Sequence, residues 1–160
     1  MFGKTFKFKI AVIESLKILG PNLNIDDIVN HSGNNIFSNF FIAKPNFWKE
    51  WIYKSELIFN EAEKKTKVGL ELNKIAFGHS SEAPIKTFII ERIASMILAT
   101  NNSYKTLFYN PFKLPFSAAK ISKEKNILIQ MDSLKKSYLQ NTELSEYLHL
   151  FKIIQSHFPW

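Results

Sequence analysis

Residues Ile36–Tyr53 read IFSNFFIAKPNFWKEWIY, and the fold turns on how that stretch is parsed. A polar pair, Ser38-Asn39, sits inside an aromatic run. Phe40-Phe41-Ile42-Ala43 has the short apolar character of a buried strand. Pro45 stands where a helix begins, because the N–H it lacks would be unpaired in the first turn anyway. Beyond it Phe47, Trp48, Trp51 and Ile52 recur at i, i+1, i+4 and i+5, one broad apolar face. The pattern predicts a strand turning sharply into a helix that runs to about Lys65, with Asn39 carried at the strand. A buried amide must find partners; for Asn39 these are either neighbouring backbone groups or a ligand.

On the N-terminal side, Phe6–Leu19 reads as a helix with Ile10, Ile13, Leu16 and Leu19 on its apolar stripe, stopped by Gly20-Pro21. Residues 22–35 form a polar connection. Asp26-Asp27 suits the first turn of a short helix better than a metal site, and Gly33-Asn34-Asn35 is turn chemistry. On the C-terminal side, the charged run EAEKKTK (61–67) reads as a solvated last turn. Residues 68–81 read as a glycine- and serine-containing loop that docks through Leu70, Leu72, Ile75 and Phe77. Pro84 then opens PIKTFIIERIASMILAT (84–100), apolar around most of its circumference and therefore a buried helix. That helix nevertheless carries Glu91-Arg92, and charges are seldom buried without a partner. The pair either shares an exposed strip with Ser95 or reaches into a cleft. Arg92 is the only arginine. A forked donor at one place suits bidentate grip on a carboxylate or phosphate; the alternative is an Arg–Glu tie between helices.

After the Asn101-Asn102-Ser103 stop, Leu107-Phe108-Tyr109 reads as a short strand and NPFKLPF (110–116) as an extended, proline-punctuated segment. Residues 121–139 are amphipathic, with Ile127, Met131, Leu134 and Tyr138 on one face. Asn141 or Thr142 caps a last helix whose stripe is Leu144, Tyr147, Leu148, Phe151 and Ile154. These two helices are expected to form a hairpin. The expected division is residues 1–115 and a helical extension over 116–160. The fold class expected is α+β, mainly helical with a few short strands.

The chain has 160 residues, enough for one domain or a fragment of a larger one, and is 46% hydrophobic with 15 Phe. It has no cysteine, which excludes a disulfide framework, a thiolate zinc site and a cysteine nucleophile and fits a reducing compartment. Its formal charge of +7 comes almost wholly from lysine, a usage typical of AT-rich genomes. Positive charge favours anionic partners: a nucleotide-sugar, an anionic membrane face or nucleic acid. Nucleic acid is disfavoured, since the aromatics read as core. No apolar run is long enough to span a bilayer, and Glu14 and Lys17 interrupt the N-terminal run, against a signal peptide. Phosphate-loop, dinucleotide, HExxH, GxSxG and Asp-x-Asp motifs are missing from the sequence. Among the four histidines, His79 is singled out by its Gly-Ser loop ahead of the Glu91-Arg92 helix.

Two segments together resemble a known family. Ser38-Asn39-Phe40-Phe41-Ile42-Ala43, followed by an aromatic-rich helix, resembles the (S/G)-N-(F/Y)-(F/W)-x-A segment of bacterial glycosyltransferases with a GT-A type fold. Phe88–Ser95, FIIERIAS, is similar to the F-x-x-E-R-L-F-S helix of the same group, at the fitting distance of about fifty residues. The resemblance covers residues 6–115. It implies a partial GT-A-like domain followed by the helical hairpin, from an enzyme of cell-surface polysaccharide assembly that works in the cytoplasm, peripherally at the inner membrane face. It implies Asn39 at an acceptor pocket, Glu91 as base toward an acceptor hydroxyl, Arg92 on a carboxylate or phosphate oxygen, and His79 as a late metal or diphosphate contact. The nucleotide-binding half of that fold precedes these elements, so the resemblance implies the acceptor-side portion, inactive alone. A divalent metal, Mn or Mg, belongs to the complete enzyme; no cofactor is identifiable in this chain. The contrasting reading is a small basic non-enzymatic module that binds a protein partner or nucleic acid.

Overall fold

The structure is a computed structural model that describes residues 2–20, 22–25, 28–36, 40–76, 83–113 and 122–157. It is mainly helical. In chain order come α1 (Phe2–Leu19), α2 (Pro45–Ala62), α3 (Lys67–Leu72), β1 (Ile75–Ala76), β2 (Ala83–Pro84), α4 (Ile85–Thr100), a 3-10 turn (Pro111–Lys113), α5 (Ser122–Gln140) and α6 (Ser145–Ser156). β1 and β2 form a two-stranded antiparallel ladder, with Ile75 opposite Pro84 and Ala76 opposite Ala83. The chain divides into two compact units: unit 1 holds residues 1–28 and 36–101, and unit 2 holds residues 29–35 and 102–160.

Unit 1 is built from α1–α4. In α4 the residues Ile85, Ile89, Ile93 and Ile97 fall every four positions and are all buried, the spacing that keeps one face inward. Against them lie Ala11, Leu16 and Leu19 of α1, Phe47, Ile58 and Ala62 of α2, and Leu72 of α3. Ser15 enters this core with its hydroxyl donated to the Ala11 carbonyl at 2.7 Å, so its own polar group is met. At the C-terminal end of α1 the Lys54 ammonium donates to the Leu19 carbonyl at 3.2 Å. A cation there meets the negative end of the helix.

α2 starts at Pro45, as the sequence predicts, after an extended Lys44. It ends at Ala62 and turns at once into α3, whose N-cap Thr66 accepts from the Gly69 amide at 3.0 Å. The Asn73 side-chain amide donates to the carbonyls of Ala62 and Gly69, closing both helix ends. Residues 68–72, read from sequence as the start of a loop, therefore belong to a short helix. The glycine that suggested a loop is there for space. A Cβ on Gly69 would lie 2.3 Å from the Lys64 carbonyl oxygen and 2.5 Å from that of Glu61.

Two expected strands do not form. Residues 40–44 adopt neither helix nor strand. Their exposure alternates: Phe41 and Ala43 are half-buried, while Phe40 and Ile42 are 88% and 103% exposed. Among the described residues no neighbouring strand completes a ladder, and a single apolar run without one is not a sheet. Residues 107–109 are likewise irregular and exposed. Ile52, placed on the inner face of α2 by periodicity, is 46% exposed.

In unit 2, α5 and α6 pack as the expected hairpin, and Met131 is its buried residue. α6 begins at Ser145 with Leu144 at the cap, so neither Asn141 nor Thr142 caps it. The segment 29–35 is a tight turn. The Asn34 side chain accepts from the His31 amide at 2.7 Å and donates to the Val29 carbonyl at 3.1 Å.

Candidate functional site

Asn39 and His79, and the Asp26-Asp27 pair, lie outside the described residues. Glu91 and Arg92 lie in the middle of α4, Glu91 half-buried and Arg92 exposed. The Arg92 guanidinium turns back along its own helix, with Nη1 donating to the Phe88 carbonyl at 2.9 Å. Ser95 is not on an exposed strip with them: it is 1% exposed. Its hydroxyl accepts from the Ile36 amide at 2.7 Å and donates to the Ile36 carbonyl at 3.1 Å. One buried hydroxyl thus fastens α4 to the chain just ahead of the 38–43 segment. Glu91 precedes Ser95 by one turn, which puts both on the same side of the helix.

Beyond that clamp Phe41 folds back onto α2. Its ring stacks on Trp48 with centroids 4.5 Å apart and planes 20° apart, and meets Phe47 and Trp51 edge-on at 5.4 and 6.2 Å. Trp48 and Trp51 meet edge-to-face at 5.6 Å. These offset and edge geometries are the favourable ones for aromatic pairs. The Trp51 indole nitrogen is buried with no hydrogen-bond partner. The result is an aromatic cluster on the first turns of α2, with Phe40 and Ile42 exposed.

Unit 2 holds a second polar cluster that sequence reading missed. Asp132 of α5 accepts from the Ser32 amide at 2.6 Å and from the Ser32 hydroxyl at 2.8 Å. The Lys136 ammonium donates to the Ser32 hydroxyl at 2.8 Å and pairs with Asp132 at 2.8 Å. Burial pulls the Asp132 carboxyl upward, but the hydrogen bonds from Lys136 and Ser32 outweigh it and hold it below its ordinary 3.8. His31 is pushed below 6.5, chiefly by burial. Its Nδ1 accepts from the Gly33 amide at 3.0 Å, which leaves the proton of the neutral ring on Nε2. Serine, lysine and histidine so placed raise the question of a nucleophile. The chemistry answers against it. Lys136 is committed as a donor to both oxygens, and Nδ1 of His31 is occupied by backbone, so neither is placed to take the serine proton. The cluster is a tether that holds the 29–35 turn on α5. The signal available in the sequence was Asp132 and Lys136 at i, i+4, one turn from Leu128 and Ile129.

No group of three or more His, Asp or Glu side chains stands close enough to hold a metal among the described residues. No helix among them is long and apolar enough to cross a membrane. No family model, curated protein or solved structure matches the chain.

Proposed function

We propose that this chain is the acceptor-side portion of a GT-A type glycosyltransferase of bacterial surface-polysaccharide assembly. The observation that carries the reading is the Ser95 clamp on Ile36. The two segments that resemble the family are fifty residues apart in sequence, and the last residue of one grips the backbone leading into the other. Glu91, one turn from the clamp, is the base: its carboxylate takes the proton of an acceptor hydroxyl as that oxygen bonds to the anomeric carbon. The bond from that carbon to the diphosphate breaks, and the nucleoside diphosphate leaves. Asn39 and His79 are assigned to the acceptor and the diphosphate by the resemblance alone, and Arg92 to an anionic oxygen. The 160 residues carry no Asp-x-Asp motif. Donor and metal are therefore held by another part of the enzyme, and the chain alone is inactive.

The test joins this chain to the polypeptide encoded immediately upstream and measures nucleotide release from a panel of nucleotide-sugars with glycan acceptors. The joined protein should release nucleotide and the chain alone should not. Glu91→Gln should lower transfer by about 100-fold or more, within the range for a lost general base. A joined protein that binds no nucleotide-sugar sinks the reading. The second reading, a basic module for a protein partner, is favoured by the full exposure of Phe40 and Ile42. It would then lead.

A further inference from the structure

We infer that the loop 105–113 of unit 2 is a membrane-contact loop that takes the surface of an anionic bilayer. The inference agrees with the peripheral membrane placement implied by the glycosyltransferase resemblance, but it rests on the exposure and charge of this loop and is tested without any transfer assay. Leu107 is 104% exposed and Tyr109 is 68% exposed. Two large apolar residues at the tip of an irregular segment lose contact with water only if something covers them.

The tip is held in place. Phe108, between them, puts its ring edge against Gly33, where an added Cβ would come within 3.2 Å of it. The Lys136 ammonium lies 5.7 Å from the centre of the same ring. The Thr106 hydroxyl donates to the Gly33 carbonyl at 3.1 Å. On the far side Asn110 ties the turn, accepting from the Phe112 amide on its side chain and the Lys113 amide on its carbonyl, both at 3.0 Å. Leu107 and Tyr109 therefore project from an anchored loop.

The charge around the tip selects the occupant. Within 105–113 the chain carries Lys105 and Lys113 and no acidic residue. Lys105 and Lys113, which flank the tip, are exposed. An apolar apex between basic flanks is the arrangement that inserts into the headgroup region while lysines meet anionic lipid. Tyr109 suits that boundary, where one end of a side chain is apolar and the other wet. Nucleic acid fits less well, because Leu107, the most exposed residue, has no face on which a base stacks. A protein groove fits less well too, because the tip offers neither a helix stripe nor a strand edge to dock.

The test is co-sedimentation of the full chain with phosphatidylcholine vesicles, with and without phosphatidylglycerol. Binding should be at least about tenfold tighter with the anionic lipid and should weaken as salt rises. Leu107→Ser with Tyr109→Ser should lower it at least about fivefold. Lys105→Gln with Lys113→Gln should lower it about tenfold. Lys49→Gln with Lys65→Gln, exposed lysines of unit 1, should leave it unchanged. Circular dichroism melts confirm that each variant folds. Equal binding to both vesicles, or tip variants that bind like the parent, overturns the inference. So does capture of an oligonucleotide in place of lipid.

Discussion

Asp132 and His31 sit together at the 29–35 turn, and both make unit 2 sensitive to acid. Each is held below its ordinary value, Asp132 by its hydrogen bonds against the pull of burial and His31 by burial itself. A depressed group favours the folded state when deprotonated. For His31 that contribution is complete above 6.5 and is lost as pH falls below it. For Asp132 it is complete above 3.8 and is lost below that. Stability should therefore decline in two stages on acidification. Asp132→Asn should shrink the lower stage, to which Glu61 also contributes through its hydrogen bonds from Lys64 and Thr66, and leave the upper one, read from urea midpoints across a pH series. The sequence offered the acid and the lysine at a helical spacing, but nothing local joined them to Ser32. That partner is 100 residues away, and periodicity is blind to distance of that kind.

Among the elements, the α2–α3 junction depends on one residue without a side chain. Gly69→Ala places a methyl against two carbonyl oxygens of the preceding turn. Backbone cannot retreat there without opening the Thr66 cap and the Asn73 bonds. The substitution should destabilise the chain by about 3 kcal/mol or more, seen as a lowered urea midpoint with an unchanged slope. The long helices were legible because their signals are local: Pro45 at a first turn, isoleucine every four residues in 85–97, the hairpin stripes of α5 and α6. The strands were not. Phe40–Ala43 and Leu107–Tyr109 have the composition of strands, but a strand exists only with a neighbour, and composition does not name one. The candidate site was legible in the same uneven way. Glu91 was visible as a charge on an apolar helix. The alternative that put Ser95 on an exposed strip fails, and a serine between buried isoleucines and alanine already asks where its hydroxyl is satisfied.

At the scale of the whole molecule the two units are not consecutive in the chain. Unit 2 borrows residues 29–35 from between α1 and α2, and those seven supply its Ser32 contacts and the Gly33 carbonyl that holds Thr106. A fragment of residues 102–160 should therefore be poorly folded by itself. Its helical circular dichroism should fall well short of that expected for α5 plus α6, and its melt should be broad. A sharp melt equal to that of the intact chain would mean the borrowed turn is dispensable.

The same borrowed turn sets a schedule during synthesis. Ser32 leaves the ribosome 100 residues before Asp132. At about 5–20 residues per second that is a wait of about 5–20 s. Unit 1 has all of its helices within that interval and has time to condense around α4. Residues 29–35 must be looped out and left unused while it does. Unit 2 then begins to form only when α5 reaches a turn made long before, and α6 follows. A slowed decoding rate near residues 102–132 lengthens the exposure of Ser32 and Asn34 without touching unit 1 at all.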